Sequence, residues 1–168
     1  MVWEASARPN FVEDVQAMRR RVEQHVPSRD AERQLKLGAG GLRDVEFAVQ
    51  LLQLVHGRHD EGLRSATTLV ALDALATGGY IGRDHAEQLD SAYRFLRSLE
   101  HRIQVTRMRR THLLPTSEDD LRRLGRSMGF STEPAKELVD AWQRRAHEVC
   151  RIHEKLFYRP LLSSVAHL

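Results

Sequence analysis

The chain reads as a succession of helix-period patterns punctuated by Gly, Pro and Ser. Phe11, Val15, Met18 and Val22 step by four, three and four, which predicts an amphipathic helix over 11–25 with Arg19, Arg20 and Arg21 on its wet side. Pro27, Ser28 and Asp30 break it, and Gln34 to Leu37 reads as a short strand or extended arm leading into Gly38-Ala-Gly-Gly. From Leu42 to His56 the apolar positions are dense (Val45, Phe47, Val49, Leu51, Leu52, Leu54, Val55), as in a helix buried on most of its circumference, and Gly57 ends it. Ser65 suits the N-cap of a helix carrying Leu69, Leu72 and Leu75, closed by Gly78-Gly79. The longest pattern runs from about Arg83 to Met108 with Leu89, Ala92, Tyr93, Leu96, Leu99 and Ile103 as its stripe. Ser117 and Asp120 open a short helix with Leu121, Leu124 and Met128, ended by Gly129. Pro134 sits in the first turn of a last helix whose face is Leu138, Ala141, Trp142, Val149, Ile152 and Leu156, stopped at Arg159-Pro160.

These patterns predict an all-α fold, a bundle of about six helices with a short extended glycine-rich segment near the N-terminus. Composition agrees. With 41% hydrophobic and only 6% aromatic residues, the core is mostly Leu, Val and Ala, which suits helices better than a β-sandwich. At 168 residues one domain can bury about two-thirds of its unfolded surface. Twenty-six Lys and Arg against 23 Asp and Glu give a net charge of only +3, too mild to call for nucleic acid. The lone cysteine, Cys150, excludes an internal disulfide and fits a reducing cytoplasm. No run approaches the ~18 apolar residues of a membrane span, and the N-terminus lacks the pattern of a secretory signal.

Candidate chemistry concentrates at one loop. Gly38, Gly40 and Gly41 allow a turn with several N–H groups pointing one way, and the following helix N-terminus adds a partial positive charge. Lys36 and Arg43 flank the loop and are placed to grip phosphate oxygens, while Asp44 can hold a metal or a ribose hydroxyl. Spacing leaves a second reading equally open: a tight turn with Asp44 as a first-turn carboxylate. The loop is neither a P-loop nor a dinucleotide fingerprint. His56 and His59 lie near Asp60, and His147 and His153 point to different faces, so no metal-site spacing emerges. The Arg residues of the longest pattern read as a solvated face paired with Glu87, Asp90 and Glu100, except Arg107, Arg109 and Arg110, which have no acidic neighbour and form a candidate partner-binding patch. Glu100, His101 and Gln104 are polar residues inside a long helix, and Cys150 reads as a small core residue without a nucleophile's setting.

Taken whole, the run Lys36-Leu-Gly-Ala-Gly-Gly-Leu-Arg-Asp-Val-Glu-Phe-Ala-Val-Gln-Leu-Leu-Gln-Leu-Val-His-Gly57 closely resembles the segment that follows each catalytic domain in the glutamine synthetase adenylyltransferase and adenylyl-removing family. The resemblance continues through Leu63-Arg64, Thr67, Leu72, the stretch Ala92 to His101, Gln104, Thr111 to Pro115, and the tail His153 to Leu162, so nearly everything from Phe11 onward is covered. A shorter Gly-Gly-Leu-Arg-Asp also occurs in the related uridylyltransferases.

The resemblance implies a two-headed enzyme in which each head is a nucleotidyltransferase domain followed by a helical domain. One head transfers AMP from ATP to a tyrosine of glutamine synthetase, and the other removes it by phosphorolysis, in control of nitrogen assimilation. The Arg-Asp-Val-Glu-Phe form and the Phe157-Tyr-Arg-Pro-Leu tail look more like the helical domain behind the N-terminal, adenylyl-removing head. The family's catalytic pattern, Gly-Ser followed by an Asp-x-Asp pair on a strand and a third Asp that bind Mg²⁺, is absent; Ser117, Asp119 and Asp120 imitate its letters at a helix start. The chain is therefore expected to be a fragment without catalytic or metal-ligating residues. Residues 1–34 would be the edge of the nucleotidyltransferase domain, 35–162 the helical domain and 163–168 a tail. Lys36, Gly38, Gly40, Gly41, Arg43 and Asp44 would lie at the edge of the nucleotide site. Mg²⁺ and ATP, ADP or phosphate belong to the whole enzyme, and none is expected to bind this chain tightly. Expected partners are the nucleotidyltransferase domain, glutamine synthetase and a nitrogen-signalling protein. The alternative is a non-catalytic module that docks glutamine synthetase or a signalling protein through Arg107 to Arg110, and a weaker one is a nucleic-acid-binding bundle.

Overall fold

A computed structural model describes residues 10–108 and 110–157. Among them are six α-helices: α1 (Phe11–Gln24), α2 (Leu42–His56), α3 (Thr68–Thr77), α4 (Arg83–Arg107), α5 (Glu118–Ser127) and α6 (Pro134–Phe157). Short 3-10 turns occupy Ser28–Arg33 and Glu61–Leu63. The all-α bundle expected from the periodicity is what forms, and no membrane-length apolar helix occurs among the described residues.

The boundaries follow the punctuation closely. Gly57 and Gly78 cap α2 and α3, and Pro134 opens α6. At α3 the N-cap is Thr67, two residues later than expected. Ser65 instead accepts the Thr67 N–H at 3.1 Å, a local turn that delays the helix. Ser117 is the N-cap of α5, without a side-chain bond to the first turn. Arg159 and Pro160, expected to stop α6, lie outside the described residues.

One core runs through the molecule. Leu42, Val45 and Val49 of α2, Ala71, Leu72 and Leu75 of α3, Leu89, Leu96, Leu99 and Ile103 of α4, and Leu138, Trp142, Val149 and Ile152 of α6 form a single cluster. Burying each leucine fully contributes about 1.5–3 kcal/mol, which fixes the mutual packing of α2, α4 and α6. Helix α5 lies along the start of α6, and the approach is so close that a Cβ at Gly125 would come within 2.1 Å of the Pro134 carbonyl.

Two expectations need correction. Gln34 to Leu37 is neither strand nor extended arm: only Gln34 forms an antiparallel bridge, to Leu113, and residues 35–41 turn on themselves. Leu35 N–H donates to the His112 carbonyl and Leu114 N–H to Arg33, so the chain after α4 clamps the approach to the glycine loop. The turn wins because its carbonyls are needed by the start of α2. In α1, the wet side is misassigned at one position. Arg19 is 1% exposed, whereas Met18 is 46% exposed. A partner 25 residues away in sequence, Asp44, makes this burial possible.

Candidate functional site

The glycine loop is packed against α6 and closed by its own helix. Gly40 adopts φ +72°, and a Cβ there would meet the Ala146 carbonyl oxygen at 2.0 Å, so this position requires glycine twice over. Its N–H donates to Asp44 Oδ2 at 2.7 Å. The N–H groups of Gly41, Leu42, Arg43 and Asp44 donate to the carbonyls of Gly38, Leu35, Lys36 and Gly41. The donors that a helix N-terminus normally leaves open are thus satisfied within the turn. Gly38, Gly40 and Gly41 are all buried, Ala39 between them is exposed, and the flanking cations are partly buried, Lys36 at an intermediate level and Arg43 with its side chain 41% exposed.

Asp44 lies at the centre of a buried polar junction. It is 2% exposed; Oδ1 accepts from Arg19 Nε at 2.5 Å and lies 3.7 Å from His153 Nε2. Arg19 Nη2 also reaches the Leu37 carbonyl at 3.4 Å, and Gln16 of α1 donates to the Phe157 carbonyl. His153 stacks on Phe157 with ring centroids 4.6 Å apart. Burial pushes the His153 pKa down, with Arg19 in the same direction and Asp44 and Glu154 opposing. Removing one partner of such a buried ion pair costs about 3–5 kcal/mol, so the junction pins α1 and the loop to α6. With both oxygens engaged, Asp44 presents none to a metal ion or a ribose, and these residues do not fit Mg²⁺.

On the outer side of α2 a second polar chain begins. Arg43 Nη1 meets Glu46 Oε2 at 2.9 Å, the Tyr93 hydroxyl donates to Glu46 Oε1 at 3.4 Å, and the Arg97 guanidinium lies 5.5 Å from the Tyr93 ring centroid. Arg97 Nη1 is 3.0 Å from Glu100 Oε2, whose other oxygen is 2.6 Å from His112 Nδ1. Of the polar residues expected inside the long helix, Glu100 is the one buried, at 5% exposure. Periodicity puts Tyr93 in the apolar stripe of α4 and Arg97 on its charged face, where Arg97 pairs with Glu100 as expected; Glu46 stands out only as part of the Lys36-to-Gly57 run. Their spacing on α2 and α4 holds no sign that the two helices bring them together.

The remaining candidates separate. Arg110 is exposed and stands alone in being described, since the side chain of Arg107 and all of Arg109 lie outside the described residues. Beside them, α4 ends at Met108, left-handed at φ +49° and 89% exposed, with Val105 59% exposed. Asp60 accepts from Gly62 N–H and from the Tyr80 hydroxyl, and His56 lies against the Tyr80 ring, so this His–Asp group is held in turn and ring contacts. Cys150 has its thiol pushed up to about 11 by burial, helped by Glu154 and Asp44, and it remains protonated. No group of three or more metal-ligating side chains occurs among the described residues.

Comparison with known proteins adds the ancestry. A model of the family described as GlnD PII-uridylyltransferase matches residues 13–157. The bifunctional glutamine synthetase adenylyltransferase/adenylyl-removing enzyme of Streptomyces coelicolor is 67% identical over 168 residues, all of this chain and 17% of that protein. Proteins of the same name from Nocardia farcinica and Mycobacterium tuberculosis are each 54% identical, over 100% and 98% of this chain and 17% of their own length. The chain thus spans about a sixth of the relatives it matches. On this evidence the chain belongs to the GlnD PII-uridylyltransferase family, and it is similar throughout to one segment of the bifunctional glutamine synthetase adenylyltransferase/adenylyl-removing enzymes.

Proposed function

We propose that this chain is the helical domain of an enzyme that adenylylates and deadenylylates glutamine synthetase, and that it stands behind the N-terminal, adenylyl-removing head. In this reading residues 35–162 are the domain proper, and residues 1–34 lead from the nucleotidyltransferase domain that carries the catalytic carboxylates. The enzyme works in the cytoplasm with Mg²⁺ and ATP, ADP or phosphate held by that other domain, and a nitrogen-signalling protein sets its direction. The chain's own part is one wall of the nucleotide site. Gly38, Gly40, Gly41 and Asp44 give the loop its shape, and Lys36 and Arg43 meet the phosphates. The observation that supports this reading is the loop itself: its backbone N–H donors and Asp44 are used internally, while its two cations, Lys36 and Arg43, remain partly exposed. Such a wall positions a nucleotide without performing chemistry.

The purified chain with Mg²⁺ should neither transfer AMP when given ATP and glutamine synthetase nor release it by phosphorolysis when given inorganic phosphate and adenylylated glutamine synthetase. Turnover by the chain alone overturns the proposal.

A second reading is supported by the end of α4, where exposed Val105 and Met108 adjoin Arg110. Exposed apolar side chains in a stretch of sequence that also carries Arg107, Arg109 and Arg110 suit docking of glutamine synthetase or the signalling protein. Reversing the three charges should abolish a pull-down with glutamine synthetase, and unchanged capture removes this reading.

A further inference from the structure

Arg43 and Glu46 on α2 repeat the arrangement of Arg97 and Glu100 on α4: in each, an arginine three residues earlier is braced by a glutamate. The two pairs belong to one chain of contacts, because Tyr93 donates to Glu46 and lies under Arg97. In both pairs the anion is inside and the cation outside. The side chains of Glu46 and Glu100 are 14% and 7% exposed, those of Arg43 and Arg97 41% and 50%. The Lys36 carbonyl accepts the Arg43 N–H, which fixes the Lys36 backbone beside the start of α2.

We propose that Arg43 and Arg97, linked through Glu46 and Tyr93, form a two-arginine site for a phosphate group on the α2–α4 face. The proposal rests on the reading of Arg43 as part of the nucleotide wall and extends that wall to α4. Bracing by a buried carboxylate removes much of the rotamer freedom that an arginine otherwise loses on binding, and the planar fork keeps N–H donors for a second, tetrahedral anion. For Arg97 burial alone would lower the pKa, but the hydrogen bond to Glu100 and the neighbouring Tyr93 and Glu100 raise it overall, so the guanidinium stays charged at any working pH. Tyr93, 9% exposed, is the spacer: its ring is fixed in the core and its hydroxyl reaches Glu46. Because each arginine is already half neutralised, the site suits a phosphate delivered by a larger ligand. For free phosphate the dissociation constant is expected on the order of 1 mM.

The test is NMR of the 168-residue chain, following the arginine Nε–Hε, lysine and backbone resonances during titration with inorganic phosphate, pyrophosphate, AMP and ATP. Phosphate should shift Arg43 and Arg97 together along one binding curve. Arg97→Gln should weaken that curve at Arg43 at least about tenfold, and Arg97→Lys, which keeps the charge but loses the fork, should fall between. Amide spectra of the variants check that the fold is kept. A tighter curve for ATP or pyrophosphate than for phosphate identifies a polyphosphate as the source, and equal curves identify a single phosphate. Shifts at Lys36 and Arg43 without Arg97, or an Arg43 curve that Arg97→Gln leaves unchanged, overturn the two-arginine site while the loop reading stands. Shifts at neither arginine remove both.

Discussion

The glycine loop and the end of α4 are both irregular, both rich in cations and both natural candidates for binding, yet they are built oppositely. In the loop every backbone N–H from Gly40 to Asp44 has an internal acceptor, and the glycines press against neighbouring backbone. At the end of α4, Met108 holds a left-handed conformation with its side chain 89% exposed. The difference teaches that glycine richness here serves close packing, whereas at the end of α4 an apolar residue stands in water without a packing reason.

Substitutions should break the comparison in graded steps. Gly40→Ala combines a strained φ with overlap onto the Ala146 carbonyl, and a loss of about 5 kcal/mol is expected, enough to unfold a marginal domain. Thermal unfolding followed by circular dichroism measures it; a melting temperature near that of the parent would mean the loop is not packed as described. Asp44→Asn keeps an acceptor for the Gly40 N–H but removes the buried carboxylate that pairs with Arg19, leaving it the half-exposed Glu23 at 3.9 Å and the Leu37 carbonyl, for about 3 kcal/mol. The cycle with Arg19→Met, read by urea denaturation, should recover much of that loss; additive losses would argue against the pair.

The third step is a pH effect. His153 has a lowered pKa in the folded state, so below 6.5 the unfolded chain takes up its proton first and stability falls with pH until the folded form is also protonated. Melting temperature should therefore decline from about pH 7.5 to about pH 5, and His153→Gln should flatten the slope. Half-buried His56, whose pKa is lowered by burial, leaves a smaller residual slope of the same sign. An unchanged slope in His153→Gln would show that the junction does not sense protons. The smallest step has the opposite sign. Met108→Gly relieves the left-handed conformation without removing any packing and should stabilise by about 0.5–1 kcal/mol, visible as a small rise in melting temperature. A fall would place Met108 in a contact that its exposure denies.

Much of the fold was legible before any coordinates. The α2 and α4 spans follow from periods of three and four closed by Gly57 and by the end of the Leu89-to-Ile103 stripe, because a buried helix must repeat its apolar side every turn. The Lys36-to-Gly57 run likewise marks the family by itself. The site was legible only in part. Lys36 and Arg43 could be chosen from their place beside the loop and Arg97 from the charged face of α4, but not the link through Glu46 and Tyr93, which depends on how α2 and α4 lie together.

What the sequence determined, then, is where helices start and stop and which residues face inward when hydrophobicity decides the matter. What only the tertiary structure decided is the fate of the charges. Arg19 was placed on the wet side because isolated arginines pay heavily for burial, and it is buried because Asp44 and the Leu37 carbonyl compensate it across the fold. Asp44, open by spacing to a metal or a nucleotide, is instead the anchor that holds the loop to α1 and α6. A helical period reports the chemistry of one strip of chain; pairing between distant strips is written only in their contact.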